Sequence, residues 1–166
     1  MTILLAIAGI LLGLAESVLP VGATFGVHPD LVLLVAVAWC LLRGREEALV
    51  LAATGGMTLD LLSAGPAGAM TLAIVAATLL ASLSEINVFR SVPLLPYVTA
   101  TGATFLFYAI LMLALAVMGT RIPIGTTLLR VVLPVLLLDI LCMVVVYSAL
   151  RWVARRLRPA GVDLES

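Results

Sequence analysis

Lysine is absent from this 166-residue chain, and charged residues of any kind make up only 11% of it. A soluble domain of this length has about a quarter of its residues charged, which is needed to keep its surface in water. Here 64% of the residues are hydrophobic and the mean hydropathy is +1.30. These proportions predict an all-α integral membrane protein without a soluble domain, because each helical crossing takes about 20 residues.

Residues that carry common chemistries are also scarce. One histidine and two cysteines fall short of a zinc or haem ligand set. No Ser/His/Asp set, Walker loop or G-x-G-x-x-G phosphate loop occurs. An intramembrane aspartyl protease would need two aspartates at matched depth, whereas Asp60 is predicted near one surface and Asp139 near mid-bilayer. We therefore expect no enzymatic activity, no metal and no cofactor.

Six apolar segments predict a bundle of six transmembrane helices in one polytopic domain, residues 1–166. The predicted helices are 2–19, 29–42, 47–62, 66–83, 94–118 and 128–152. The second and third are short, about 21 to 24 Å at 1.5 Å per residue. They must thin the bilayer, borrow flanking residues or lie against longer neighbours; one long re-entrant hairpin is the alternative.

All nine basic residues are arginines, and their distribution predicts the orientation. With a cytoplasmic amino terminus, seven arginines fall on the inner side: Arg43, Arg45, Arg90, Arg151, Arg155, Arg156 and Arg158. Only Arg121 and Arg130 fall outside. This bias follows the positive-inside rule, so both termini are predicted to be cytoplasmic. The tail arginines, Arg151, Arg155, Arg156 and Arg158, are expected to anchor the chain at anionic headgroups or to dock an acidic partner.

Asp139 is predicted near the middle of the membrane, where an acidic side chain costs about 2.5–3.5 kcal/mol to insert. It must therefore face protein, protonated or hydrogen-bonded to hydroxyls of the fifth helix such as Thr101, Thr104 or Tyr108. A polar residue that fixes helix packing and a proton-relay or ligand contact are both compatible with this position.

Arg130 is predicted near the outer end of the sixth helix, on the face opposite Asp139. We expect an outer polar cluster in which Arg130 pairs with Asp60 or Glu16; snorkelling to outer headgroups is the alternative. Pro134 is expected to kink the sixth helix, which would either reroute packing or open a pocket. In the first helix, Gly9 and Gly13 are spaced four apart and predict a flat face for close helix contact.

One stretch is distinctive beyond its composition. Pro29-Asp30-Leu31 opens a short apolar helix that ends in Leu42-Arg43-Gly44, and Gly56-x-x-x-Asp60-Leu61-Leu62-Ser63 closes the next. Pro66 and Gly68 follow six and eight residues after that aspartate. Residues 29–72 resemble the rod shape-determining MreD family in these motifs, and the rest of the chain resembles it in layout.

The resemblance implies a non-enzymatic scaffold subunit of the bacterial cell-elongation machinery in the cytoplasmic membrane. Its expected direct partner is the bitopic protein MreC. Through that complex it would act with MreB filaments, with RodA and its transpeptidase partner, and so on peptidoglycan synthesis and rod cell shape; nucleic acid is not an expected partner. The family is also similar in architecture to the substrate-binding subunits of energy-coupling factor transporters.

Two functions therefore remain open from the sequence. As a scaffold, small-residue faces around Gly9, Gly13 and Gly56 would admit a partner helix, and the turn from Asp60 to Gly68 would shape an outward surface. As a transporter subunit, Glu16, Asp60 and Arg130 would line an outward pocket for a small molecule.

Overall fold

The computed structural model of the chain describes residues 2–18, 29–63, 65–83, 95–119 and 132–156. These ranges form six helices and no strand. The helices are α1 (Thr2–Val18), α2 (Leu31–Arg43), α3 (Arg45–Leu62), α4 (Ala69–Leu83), α5 (Leu95–Val117) and α6 (Leu133–Arg156). Their bounds agree with the predicted segments to within a few residues, except that the described part of α6 begins at Leu133 instead of residue 128 and runs on to Arg156.

Helix α2 lies at the centre of the fold. Every residue from Val32 to Cys40 is buried, and the helix contacts α1, α3, α4, α5 and α6. Its 13 residues span roughly 20 Å. The five helices that surround α2 are all longer than it is.

Small side chains let α1 and α4 pack closely on α3. A Cβ atom added at Gly13 would lie 2.9 Å from the Cβ of Thr58, and one added at Gly9 would lie 2.9 Å from the Leu51 carbonyl oxygen. The flat face predicted in α1 is therefore filled by α3 of the same chain. It is not an open surface for a partner helix.

The outside of the bundle is apolar. Exposed side chains include Ile3, Leu61, Leu113 and Val145, each more than 60% exposed. Helices α5 and α6 are long and apolar enough to cross a membrane, and about a fifth of each candidate span is buried. A surface of this kind is typical of contact with lipid or with other apolar helices.

The described arginines all lie at one end of the bundle. Arg43 ends α2 and forms an ion pair with Glu47 at 3.3 Å, and Glu47 also accepts a 3.0 Å hydrogen bond from the indole of Trp39. At the end of α6, the guanidinium of Arg156 stacks 4.8 Å from the ring centre of Trp152. Arg151 and Arg155 are exposed, and Arg158 lies outside the described residues.

Candidate functional site

Asp60 connects the end of α3 to the start of α4. Its carboxylate accepts hydrogen bonds from the backbone N–H groups of Met70, at 3.0 Å, and Thr71, at 2.9 Å, and from the Thr71 hydroxyl. The first N–H groups of a helix have no partner within the helix and lie at the positive end of its dipole. Asp60 therefore caps α4 from another helix.

The turn between these helices depends on its own sequence. Gly68 adopts φ +86°, a left-handed conformation that side chains other than glycine rarely take. Its carbonyl accepts the N–H of Leu72 at 2.9 Å, and the carbonyl of Pro66 accepts the N–H of Ala69 at 3.1 Å. Pro66 and Gly68 thus shape the turn that brings the start of α4 to the Asp60 carboxylate.

Gly56 sets the distance between α3 and α4. A Cβ atom at this position would lie 2.7 Å from the Cα of Thr71, which is closer than two such carbons approach. Gly56 and Asp60 are four residues apart on α3, and both contact Thr71. The start of α4 is therefore held by packing at Gly56 and by hydrogen bonding at Asp60.

An apolar groove of about 740 Å³ runs along the outside of α3 and α4 from this junction. Its residues on α4 recur at three- and four-residue intervals, as expected for one helical stripe. On α4 they are Thr71, Leu72, Val75, Ala76 and Leu79. The turn residues Ala67 and Gly68 and the α3 residues Met57, Asp60 and Leu61 complete the lining. Leu61 is 87% exposed and Leu72 is 61% exposed. We call this surface the α3–α4 groove.

Glu16 plays the corresponding part for α2. It lies in the last turn of α1, and its carboxylate accepts the backbone N–H of Val32 at 2.8 Å and contacts the N–H of Leu31. Both α2 and α4 therefore begin on a carboxylate supplied by the end of the preceding helix. Glu16 and Asp60 bind two different helix starts, and the outer cluster predicted to include both with Arg130 stays a prediction.

Asp139 also accepts hydrogen bonds at the start of α2, close to Glu16. The backbone N–H of Asp30 donates to one Asp139 oxygen at 3.3 Å, and the Thr104 hydroxyl donates to the other at 2.9 Å. Tyr108 places its hydroxyl at the Asp30 carboxyl. The predicted hydroxyl partner on α5 is thus Thr104, whereas Thr101 donates to the Tyr97 carbonyl of its own helix.

The structure bears in different ways on the predictions for Asp139, Pro134 and Arg130. Asp139 lies at the start of α2 and near Glu16, and its predicted depth in the membrane stays a prediction. Pro134 lies in the first described turn of α6, and its expected kink stays a prediction because the residues just before 132 lie outside the described ones. Arg130 lies outside the described residues, and its ion pair stays a prediction.

Asp30 was predicted as part of the motif that opens the second helix, with a candidate role in partner binding. In the structure, the backbone N–H of Asp30 donates to Asp139 on α6, and its side chain lies near Glu16 and Asp139. Sequence spacing could not show this, since 109 residues separate Asp30 from Asp139. In the part of the chain that the structure describes, no group of three His, Cys, Asp or Glu side chains has metal-binding geometry.

No family model, curated protein or solved structure matches this chain. The class defined by the described residues is an all-helical protein with two helices suited to cross a membrane.

Proposed function

We propose that this chain is a non-enzymatic, MreD-like scaffold of the bacterial cytoplasmic membrane, in which the α3–α4 groove holds the transmembrane helix of an MreC-type partner. In this proposal the six helices all cross the bilayer and both termini are cytoplasmic. The seven-to-two distribution of arginines supports that orientation. Coupling of MreB filaments to RodA and its transpeptidase partner would pass through the same complex.

The α3–α4 groove is the observation that carries the proposal. Its stripe on α4 runs from Thr71 to Leu79, about two and a half helical turns, and offers ridges and grooves along which a second helix can pack. Small residues at Gly68 and Ala76 leave room for the side chains of a second helix, and the larger Leu72 and Val75 fit between them. A single apolar helix is therefore the occupant that this shape and composition favour.

The family-like motif lies at the end of the same groove. Gly56 and Asp60 fix the start of α4, and Gly68 forms the turn, so these residues hold the two walls of the groove in register. The motif would thus serve partner binding by positioning α4, without Asp60 itself contacting the partner.

Site-directed photo-crosslinking in native membranes tests this assignment. A crosslinker at Leu72 is expected to capture MreC, whereas one at Leu113, which is similarly exposed on α5, is not. Equal capture at both positions, or capture only at Leu113, would place the partner elsewhere.

Replacement of a groove residue gives an independent result. Ala76→Trp should fill the groove and remove MreC from the purified complex, while Ala109→Trp on the exposed face of α5 should leave it bound. Undiminished recovery of MreC with Ala76→Trp would contradict the assignment. Recovery of an ATPase pair and a small molecule with the wild-type chain would instead favour the transporter-subunit alternative.

A further inference from the structure

Three carboxyl groups meet where α1, the start of α2 and α6 come together. They belong to Glu16, Asp30 and Asp139, and the Asp139 side chain is 1% exposed. The arginines that the structure describes all lie at the opposite end of the bundle. Ionised carboxylates held this close in an apolar interior repel one another strongly, so such a group is costly unless one member is neutral.

The hydrogen bonds distinguish the three acids. Glu16 accepts the backbone N–H of Val32 at the start of α2, at the positive end of that helix dipole. Asp139 accepts from the Asp30 N–H and from the Thr104 hydroxyl, one on each oxygen. Both groups are therefore supplied with donors, as ionised carboxylates require.

Asp30 is different. Its carboxyl meets Tyr108, but its Oδ2 atom is buried and has no hydrogen-bond partner among the described residues. A carboxylate oxygen can only accept, so this atom would lose hydration without compensation. A proton on Oδ2 removes the charge of this carboxyl and turns the atom into a hydrogen-bond donor next to the acids Glu16 and Asp139.

We propose that this cluster is a proton-binding site in which Asp30 Oδ2 holds one proton at neutral pH. The proton comes from the aqueous phase and lowers the negative charge of the cluster by one. At alkaline pH Asp30 loses this proton and becomes negatively charged. The three carboxylates then repel one another and push α1, α2 and α6 apart. The site therefore acts as a pH-sensitive latch on one end of the bundle.

Titratable groups surround Asp30 on several of the neighbouring helices. Glu16 faces it from α1, Tyr108 from α5, and Asp139 with the nearby thiol of Cys142 from α6. On α3 the acidic residue toward this end is Asp60, which is bound to the start of α4, and α4 itself carries no titratable side chain. His28 and Arg130 lie outside the described residues.

Infrared spectroscopy of the full chain in lipid nanodiscs tests the proposal. With isotope-labelled aspartate, the wild-type protein should show the carbonyl stretch of a protonated aspartic acid at neutral pH, and the band should disappear at alkaline pH. Absence of that band at neutral pH would overturn the proposal, since it would show that no aspartate of the cluster is protonated. This measurement needs no variant.

Variants then assign the band. Asp30→Asn imitates the neutral acid, so it should fold, remove the band and abolish the loss of thermal stability at alkaline pH. Asp60→Asn is the control and should retain the band. A labelled band that survives Asp30→Asn and disappears in Asp139→Asn would show that Asp139 holds the proton and would overturn the assignment to Asp30.

Discussion

Asp60 binds Thr71 twice, because its carboxylate accepts both the backbone N–H and the hydroxyl of Thr71. Gly56, one turn before Asp60, packs against the Thr71 backbone. Hydrogen bonding and packing therefore fix the same point of α4. Substitutions can separate the two contributions.

Replacement of Asp60 tests the capping bonds. Asp60→Asn keeps an oxygen acceptor and should weaken both the fold and MreC binding only modestly. Asp60→Leu leaves the first N–H groups of α4 without an acceptor, at about 1–3 kcal/mol for each buried donor, and should abolish binding together with stability. Co-purification and thermal unfolding measure the two effects. Normal assembly of the Leu variant would contradict the capping role.

Replacement of Gly56 tests the packing. Gly56→Ala should force α3 and α4 apart and destabilise the protein by about 1–3 kcal/mol, the usual cost of overpacking. Gly102→Ala is the matched control, since its new Cβ would meet nothing closer than 4.0 Å. It should be neutral or slightly stabilising because alanine is the better helix former. Similar unfolding temperatures for the two variants would rule out the close contact.

Replacement of Glu16 tests the second helix cap. Glu16→Leu removes the acceptor of the Val32 N–H in the bundle interior and should cost about 1–3 kcal/mol. Glu16→Gln retains an oxygen acceptor and should cost less. Ser17→Ala is the control on the same turn, because the Ser17 hydroxyl is exposed and donates only to Leu14 of its own helix. In thermal unfolding in detergent, Glu16→Leu should lower the unfolding temperature most, Glu16→Gln less, and Ser17→Ala least.

Replacement of Glu47 tests the opposite end. Glu47→Ala leaves the indole N–H of the buried Trp39 without its acceptor and frees Arg43. In a Trp152→Phe background, the fluorescence of Trp39 should therefore change, and the unfolding temperature should fall. Glu46→Ala, at the exposed neighbouring position, should change neither. An unaltered Trp39 spectrum in Glu47→Ala would show that the hydrogen bond does not form.

The sequence predicted the helices well because apolar length and Gly or Pro punctuation are local signals. It also indicated Thr104 among the donors to Asp139. It did not predict that α2 is central, or that Gly9, Gly13 and Gly56 are used within the chain. A helix that is apolar on all sides carries no pattern that separates an inward face from a lipid-facing one.

The site was harder to predict for a related reason. The pairing of Asp30 with Asp139, and of Glu16 with Val32, depends on which helices are neighbours. Charge and spacing along the chain placed Glu16 and Asp60 on one side of the membrane, but they could not show that each carboxylate binds a different helix start.

The central position of α2 bears on how the protein is made. A helix of 13 residues is too short to settle alone across a bilayer core of about 30 Å. Its contacts with α5 and α6 involve the parts of the chain that a ribosome synthesises last. In the proposed six-span arrangement α2 can complete its packing only after α5 and α6 have been made, so chains truncated before α6 should be degraded by membrane proteases.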